Sequence, residues 1–125
     1  MAAGRGLGSG RAVKLDRGTI ALLRLDPRVG HEQRGTRPCV LISDPEVAAH
    51  RRFPMVCVLP LTGTPGEGAF YPRLSPGPSG LRTVSYALVD QIRAVDKRRI
   101  RRVFGRVEPD ELASIDEGLR LFLGL

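Results

Sequence analysis

Residues 25–43 read LDPRVGHEQRGTRPCVLIS. The stretch changes character in its middle. Arg28 to Thr36 is polar and carries Gly30 and Gly35, the composition of a loop. Arg37 to Ser43 (RPCVLIS) is a β-prone apolar run with Pro38 confined to its start. Just before it, Gly18 to Leu25 (GTIALLRL) is another short apolar run, ended by Asp26-Pro27. Two short apolar segments joined by a polar glycine-bearing loop predict paired strands, and this reading sets the fold class.

The rest of the chain extends the same pattern. Ser43-Asp44-Pro45-Glu46 offers an N-cap, a proline for a first turn and a glutamate three residues after the serine, which predicts a short helix to about His50. Met55 to Thr62 (MVCVLPLT) reads as a strand, with Pro60 suggesting an edge or bulge. Ala69 to Leu74 reads as a strand, as do Thr83 to Val89 and Gln91 to Val95 taken as one strand bent near Asp90. Ile100 to Val107 is the last. Glu108-Pro109-Asp110-Glu111 then opens a helix with acids where the dipole favours them. Leu112, Ile115, Leu119 and Phe122 recur at helical spacing before a stop at Gly124. The expected architecture is mainly β with short helices, a small barrel carrying an amphipathic C-terminal helix. Residues 1–14, with alternating glycines, read as a disordered tail, and 15–125 as a single domain.

Composition narrows the function. The 125 residues include 20 Lys+Arg against 13 Asp+Glu, a net charge of +7. Such a surface favours polyanions through counterion release. Aromatics are 5% with no tryptophan, which counts against an open stacking platform and against an amphipathic membrane helix. No apolar stretch has the length of a membrane span or a signal peptide, so a cytoplasmic location without membrane contact is expected. The two cysteines lack metal-ligand spacing and read as buried thiols. No HExxH, CxxC or carboxylate cluster points to a metal, and no cofactor is expected.

Two stretches concentrate polar chemistry. In the 30–38 loop, Arg37 stands where the loop becomes a strand, rigid enough to present a guanidinium to a phosphate. A solvated hairpin in which Glu32 and Arg37 pair with each other is the rival reading. Arg93 to Arg106 (RAVDKRRIRRVFGR) holds seven basic residues and one acid. On a strand these side chains alternate between faces, so general attraction of a polyanion is expected rather than many direct contacts. The two histidines, His31 and His50, are not placed for a two-imidazole ribonuclease scheme.

Taken together, the pieces resemble the MazF/PemK/Kid toxins, the ribonuclease half of bacterial toxin–antitoxin pairs. The resemblance is carried by residues 25–43, by MVCVLPLT (55–62), by SYALVDQIRAVDKRRI (85–100) and by the final helix ending LGL, in order and spacing from Arg17 onward. It implies an SH3-like β-barrel of the CcdB/MazF/Kid type, a homodimer, and metal-independent cleavage of single-stranded RNA. It also implies an acidic antitoxin as partner. The family's catalytic arginine and threonine fall on Arg37 and Thr62; Thr64 lies two residues on, but the Leu-Thr at the strand end favours Thr62. RNA contacts are implied at Glu32, Gln33, the Asp90–Gln91 pair, and Ser85, with His31 adding a contact where relatives commonly have serine.

The implied chemistry is attack of the ribose 2′-hydroxyl on the adjacent phosphorus, leaving a 2′,3′-cyclic phosphate and a 5′-hydroxyl. Arg37 can stabilise the developing charge but is a poor base, because its pKa lies above ~12. Thr62 can orient the phosphate or relay a proton, and Glu32 is the candidate general base. Two readings compete: a member acting on a protein target, as the gyrase poison CcdB does, and a barrel that binds nucleic acid through Arg98 to Arg102 without chemistry.

Overall fold

The computed structural model describes residues 15–25 and 35–125. The tail expected over 1–14, and His31, Glu32 and Gln33, lie outside the described residues. The strands are β1 (Thr19–Arg24), β2 (Thr36–Leu41), β3 (Met55–Thr62), β4 (Arg73–Leu74), β5 (Ser85–Ala87), β6 (Arg93–Asp96) and β7 (Ile100–Arg106). The helices are α1 (Pro45–Ala49) and α2 (Pro109–Leu123), and 3-10 turns occupy Val89–Gln91 and Lys97–Arg99. The order across the antiparallel sheet is β4-β5-β3-β2-β1-β7, with β6 also paired to β3.

β3 organises this sheet. Val58 to Pro60 pair with β2 on one side. On the other, Met55 to Val58 pair with β6 while Leu61 and Thr62 pair with β5. Pro60 is therefore internal rather than on an edge, a correction to the sequence reading. Its carbonyl accepts from Leu88 N at 2.9 Å on the β5 side. A residue's N and O point the same way in a strand, so the missing N–H faces the gap where β3 exchanges β6 for β5. No ladder bond is lost there.

Both faces of the sheet are buried, which is why the strands read as continuous apolar runs. One cluster takes Ile20, Val40, Leu59 and Leu61 and is covered by Ile115 and Leu119 of α2. The other takes Ala21, Leu23, Cys39, Leu41, Val56 and Val58 and includes Ala48 of α1. The alternation within β1, β2 and β3 sorts neighbours strictly between the two.

The helices begin as their caps dictate, with one change. Asp44, not Ser43, caps α1, accepting from Glu46 N at 2.8 Å. The Ser43 hydroxyl instead accepts from Cys57 N at 2.7 Å and ties the turn to β3. At α2, Glu108 and Glu111 form a reciprocal capping box, and Gly124 closes the helix at φ 73°. The second carboxylate oxygen of Glu111 accepts from Ser75 N at 2.7 Å, so one side chain holds both the helix and the 75–80 loop. Arg17 fastens the helix from the other side, bridging Asp116 at 2.8 Å and the Ile42 carbonyl at 2.9 Å.

Two expectations are shortened. Only Arg73 and Leu74 of the 69–74 segment are strand, because Tyr71 N turns back to the Gly68 carbonyl. The 83–95 segment is two strands separated by the Val89–Gln91 turn, each serving a different half of β3. The resulting sheet is a half-barrel. Its ends, β4 and β7, are not paired; the 75–80 loop lies against β7 instead. A Cβ placed on Gly105 would strike the Pro78 carbonyl oxygen and lie 2.8 Å from Ser79 C. Gly105→Ala should therefore cost about 1–3 kcal/mol, the usual penalty of overpacking. Thermal unfolding should register this as a clear drop in Tm, and an unchanged Tm would show that the loop yields freely.

Candidate functional site

Arg37 lies near the start of β2 with an exposed side chain, its backbone opposite Leu23 of β1. The β2–β3 pairs end at Cys39 opposite Pro60. Arg37 and Thr62 each lie two residues beyond that last pair, at the start of β2 and the end of β3. On its other side Thr62 pairs with Tyr86 of β5. A threonine and a tyrosine therefore stand side by side on β3 and β5, with an arginine at the start of the neighbouring strand β2.

The Thr62 hydroxyl oxygen accepts from Thr64 N at 3.1 Å. This leaves the hydroxyl proton for an incoming acceptor. Thr64 itself stands beyond the strand end, in the turn rather than on a continued strand face. Beside Thr62 opens a cavity of about 410 Å³ whose lining includes Thr62, Thr64, Tyr71, Tyr86, Leu88 and Gln91. Arg37 is outside that lining.

Of the other residues expected to contact RNA, Gln91 reaches the cavity and Ser85 does not. Ser85 is buried, and its hydroxyl donates to the Thr83 carbonyl at 3.2 Å. Period-two alternation on β5 turns Tyr86 to the cavity in its place. The Ser85 hydroxyl is thus turned away from this cavity. Asp90 is committed within the protein: its carboxylate accepts from the Tyr71 hydroxyl at 2.6 Å. That carboxylate also pushes the Tyr71 phenol above its usual range. The two tyrosines were missed from sequence. Tyr86 had a usable signal in its alternation with Ser85, whereas Tyr71 follows no period and is placed only by tertiary contacts.

Several cations of the basic stretch make hydrogen bonds within the protein. Arg98 folds back on Asp96, donating from Nε and Nη2 at 3.0 Å each, and draws that carboxyl down to about 2. Lys97 Nζ donates to the Val47 and His50 carbonyls at 3.0 and 2.9 Å. Arg93 and Arg99 donate to the Leu25 and Arg24 carbonyls. Arg102 lies 5.2 Å from the centre of the Phe104 ring. This stretch begins in β6, paired to β3, and ends in β7 at one end of the sheet order. His50 stacks on Phe53 with centroids 4.8 Å apart, and its Nδ1 accepts from Arg52 N. Among the described residues no group of three or more His, Cys, Asp or Glu is arranged as a metal site. None of the described helices is long and apolar enough to cross a membrane.

A half-barrel sheet with a C-terminal helix, with an arginine at the start of one strand and a threonine at the end of its neighbour, belongs to the class of small barrel toxins. Residues 16–123 match the PemK-like, MazF-like toxin of type II toxin–antitoxin systems, and the chain belongs to that family. It is 34% identical over 113 residues to the endoribonuclease MazF9 of Mycobacterium tuberculosis (strain ATCC 25618 / H37Rv), covering 87% of this chain and 96% of that protein. The structure of MazF from Deinococcus radiodurans superposes with a TM-score of 0.76 at 27% identity, over 91% of this chain and all of the other. A MazE–MazF structure from the same organism matches with a TM-score of 0.69 and 28% identity, covering 91% of this chain and 99% of that one.

Cys39 is fully buried in β2, and burial pushes its thiol up to about 12. An unfolded-chain thiol releases its proton near 9. Between these values the native state binds the extra proton, so this thiol's contribution to stability is intact below pH 9 and is lost as pH rises toward 12. Cys39→Ala should flatten that alkaline loss in urea titrations at pH 8 to 11. Equal slopes for the two proteins would contradict it.

Proposed function

We propose that this chain is the endoribonuclease of a toxin–antitoxin pair, cutting single-stranded RNA without a metal ion, with Arg37 and Thr62 as its catalytic pair. The observation that supports the reading is that β2 and β3 are paired neighbours, with Arg37 at the start of one and Thr62 at the end of the other, each two residues past their last pair. The 2′-oxygen loses its proton and bonds to phosphorus, the P–O5′ bond breaks, and the departing 5′-oxygen takes up a proton. Arg37 holds the non-bridging oxygens as negative charge builds on them, with two parallel N–H donors suited to a phosphoryl group. Thr62 donates a hydrogen bond from its hydroxyl to the same group and fixes its position. Glu32 takes the proton from the 2′-hydroxyl. His31, Gln33 and Gln91 contact the bases beside the cut.

Residues 15–125 act as one toxin domain, in the cytoplasm. An acidic antitoxin segment complements the net charge of +7. The exposed Leu121, Phe122, Leu123 and Leu125 at the end of α2 give a second copy of the chain apolar surface to cover in a homodimer.

With EDTA present, the wild-type protein should cut a long unstructured RNA at discrete sites bearing 5′-hydroxyl ends. Arg37→Ala and Thr62→Ala should each slow cutting by roughly 100- to 1,000-fold, the usual cost of losing one such electrostatic donor. RNA bound tightly but left whole by the wild type would establish a binding barrel instead. Equal cutting by all three proteins would place the chemistry elsewhere.

A further inference from the structure

Tyr71 is held more firmly than a half-exposed side chain in a turn requires. Its neighbours in the chain are strapped down on both sides: the Phe70 carbonyl accepts from Val89 N at 3.0 Å, and the Pro72 carbonyl from Ala87 N at 3.0 Å. Its own N–H turns back to the Gly68 carbonyl at 3.1 Å. Its hydroxyl is anchored by Asp90 at 2.6 Å. The 63–68 loop lies directly against the residue, because a Cβ on Gly66 would come within 2.8 Å of Tyr71 Cβ and Cγ. Backbone, ring and hydroxyl are therefore restrained independently. The ring nonetheless lines the open cavity beside Thr62.

Immobilising an aromatic face in advance removes the entropy that a ligand would otherwise lose in ordering it. The ligand that rewards a flat, fixed ring beside a phosphate-handling pair is an unstacked nucleobase. Gln91 and Thr64 supply hydrogen-bonding groups around that cavity, and Leu88 supplies an apolar surface. We infer that Tyr71 is the stacking wall for one splayed-out base of the RNA next to the cut, and that Asp90 is the positioning residue that holds it there. This inference rests on reading the surface as an RNA site. It gives Asp90 a task distinct from that of Gln91 beside it: Gln91 meets the base, and Asp90 meets the wall.

Base stacking on an aromatic ring is sequence-tolerant, so it can be measured without a recognition sequence. The probes are two uncleavable deoxyribose decamers of equal charge, one a randomised-sequence pool and the other abasic throughout. The wild type should bind the base-bearing strand roughly 5- to 150-fold more tightly, the range expected for one stacked base. Tyr71→Leu should lose most of that preference while keeping wild-type affinity for the abasic strand. Tyr71→Phe and Asp90→Asn, which keep the ring but cut its anchor, should fall between. A Tyr71→Leu protein that keeps the full preference would overturn the inference. So would one that loses affinity for both strands in proportion, since that is damage to the fold. RNA cleavage assayed in parallel separates the two readings: a wild type that prefers bases but does not cut removes the endoribonuclease reading alone. A wild type that cuts, beside a Tyr71→Leu variant with unaltered preference, removes the stacking wall alone.

Discussion

The eight residues of β3 satisfy three strands at once, and the rest of the molecule follows from how they do it. β2 runs along one side, while β6 and β5 divide the other. The division falls at Pro60, where a missing N–H lets the ladder change partners without orphaning a donor. The same residue anchors the register with β2 through its pairing with Cys39. A slip of one residue there would turn Val56 and Val58 out of one core and Leu59 and Leu61 out of the other. Burial on both faces therefore specifies the pairing, and with it where the start of β2 and the end of β3 lie relative to each other.

That constraint explains which parts of the molecule were legible beforehand. β3 was readable to the residue because MVCVLPLT is bounded by Phe53-Pro54 and Gly63. The C-terminal helix was equally plain, since its proline, its acids and its closing glycine are local signals that no tertiary contact overrides. Arg37 and Thr62 are singled out by family resemblance alone, and the antiparallel pairing of β2 with β3 is what puts the start of one strand near the end of the other. What stayed hidden depends on partners distant in sequence. Nothing in the 83–95 run announces that its halves serve different stretches of β3. Pro60 resembles an edge residue unless the exchange of partners is known. Alternation says that Ser85 and Tyr86 point oppositely, but only the assembled sheet says which of them meets the cavity.

Charge illustrates the same limit. The arginine-rich 93–106 stretch looks like a binding stripe in one dimension. In three, Arg93, Lys97 and Arg99 are spent on backbone carbonyls and Arg98 on Asp96. The net charge still attracts a polyanion at long range, where position matters little. Cutting it demands something different: a fixed guanidinium, a hydroxyl and a surface that holds the substrate in one pose. The groups proposed for that task lie on β2 and β3, inside the sheet order, whereas β7 forms one of its ends.

As the proposed catalytic pair, Arg37 and Thr62 are expected to act on one phosphate as a unit. A double-mutant cycle on single-turnover cleavage measures this directly, comparing Arg37→Ala, Thr62→Ala and the protein carrying both. The double variant should be little slower than the slower single variant, since once either partner is gone the other has lost its purpose. Two losses that simply multiply would show the residues working independently, and would contradict the pairing.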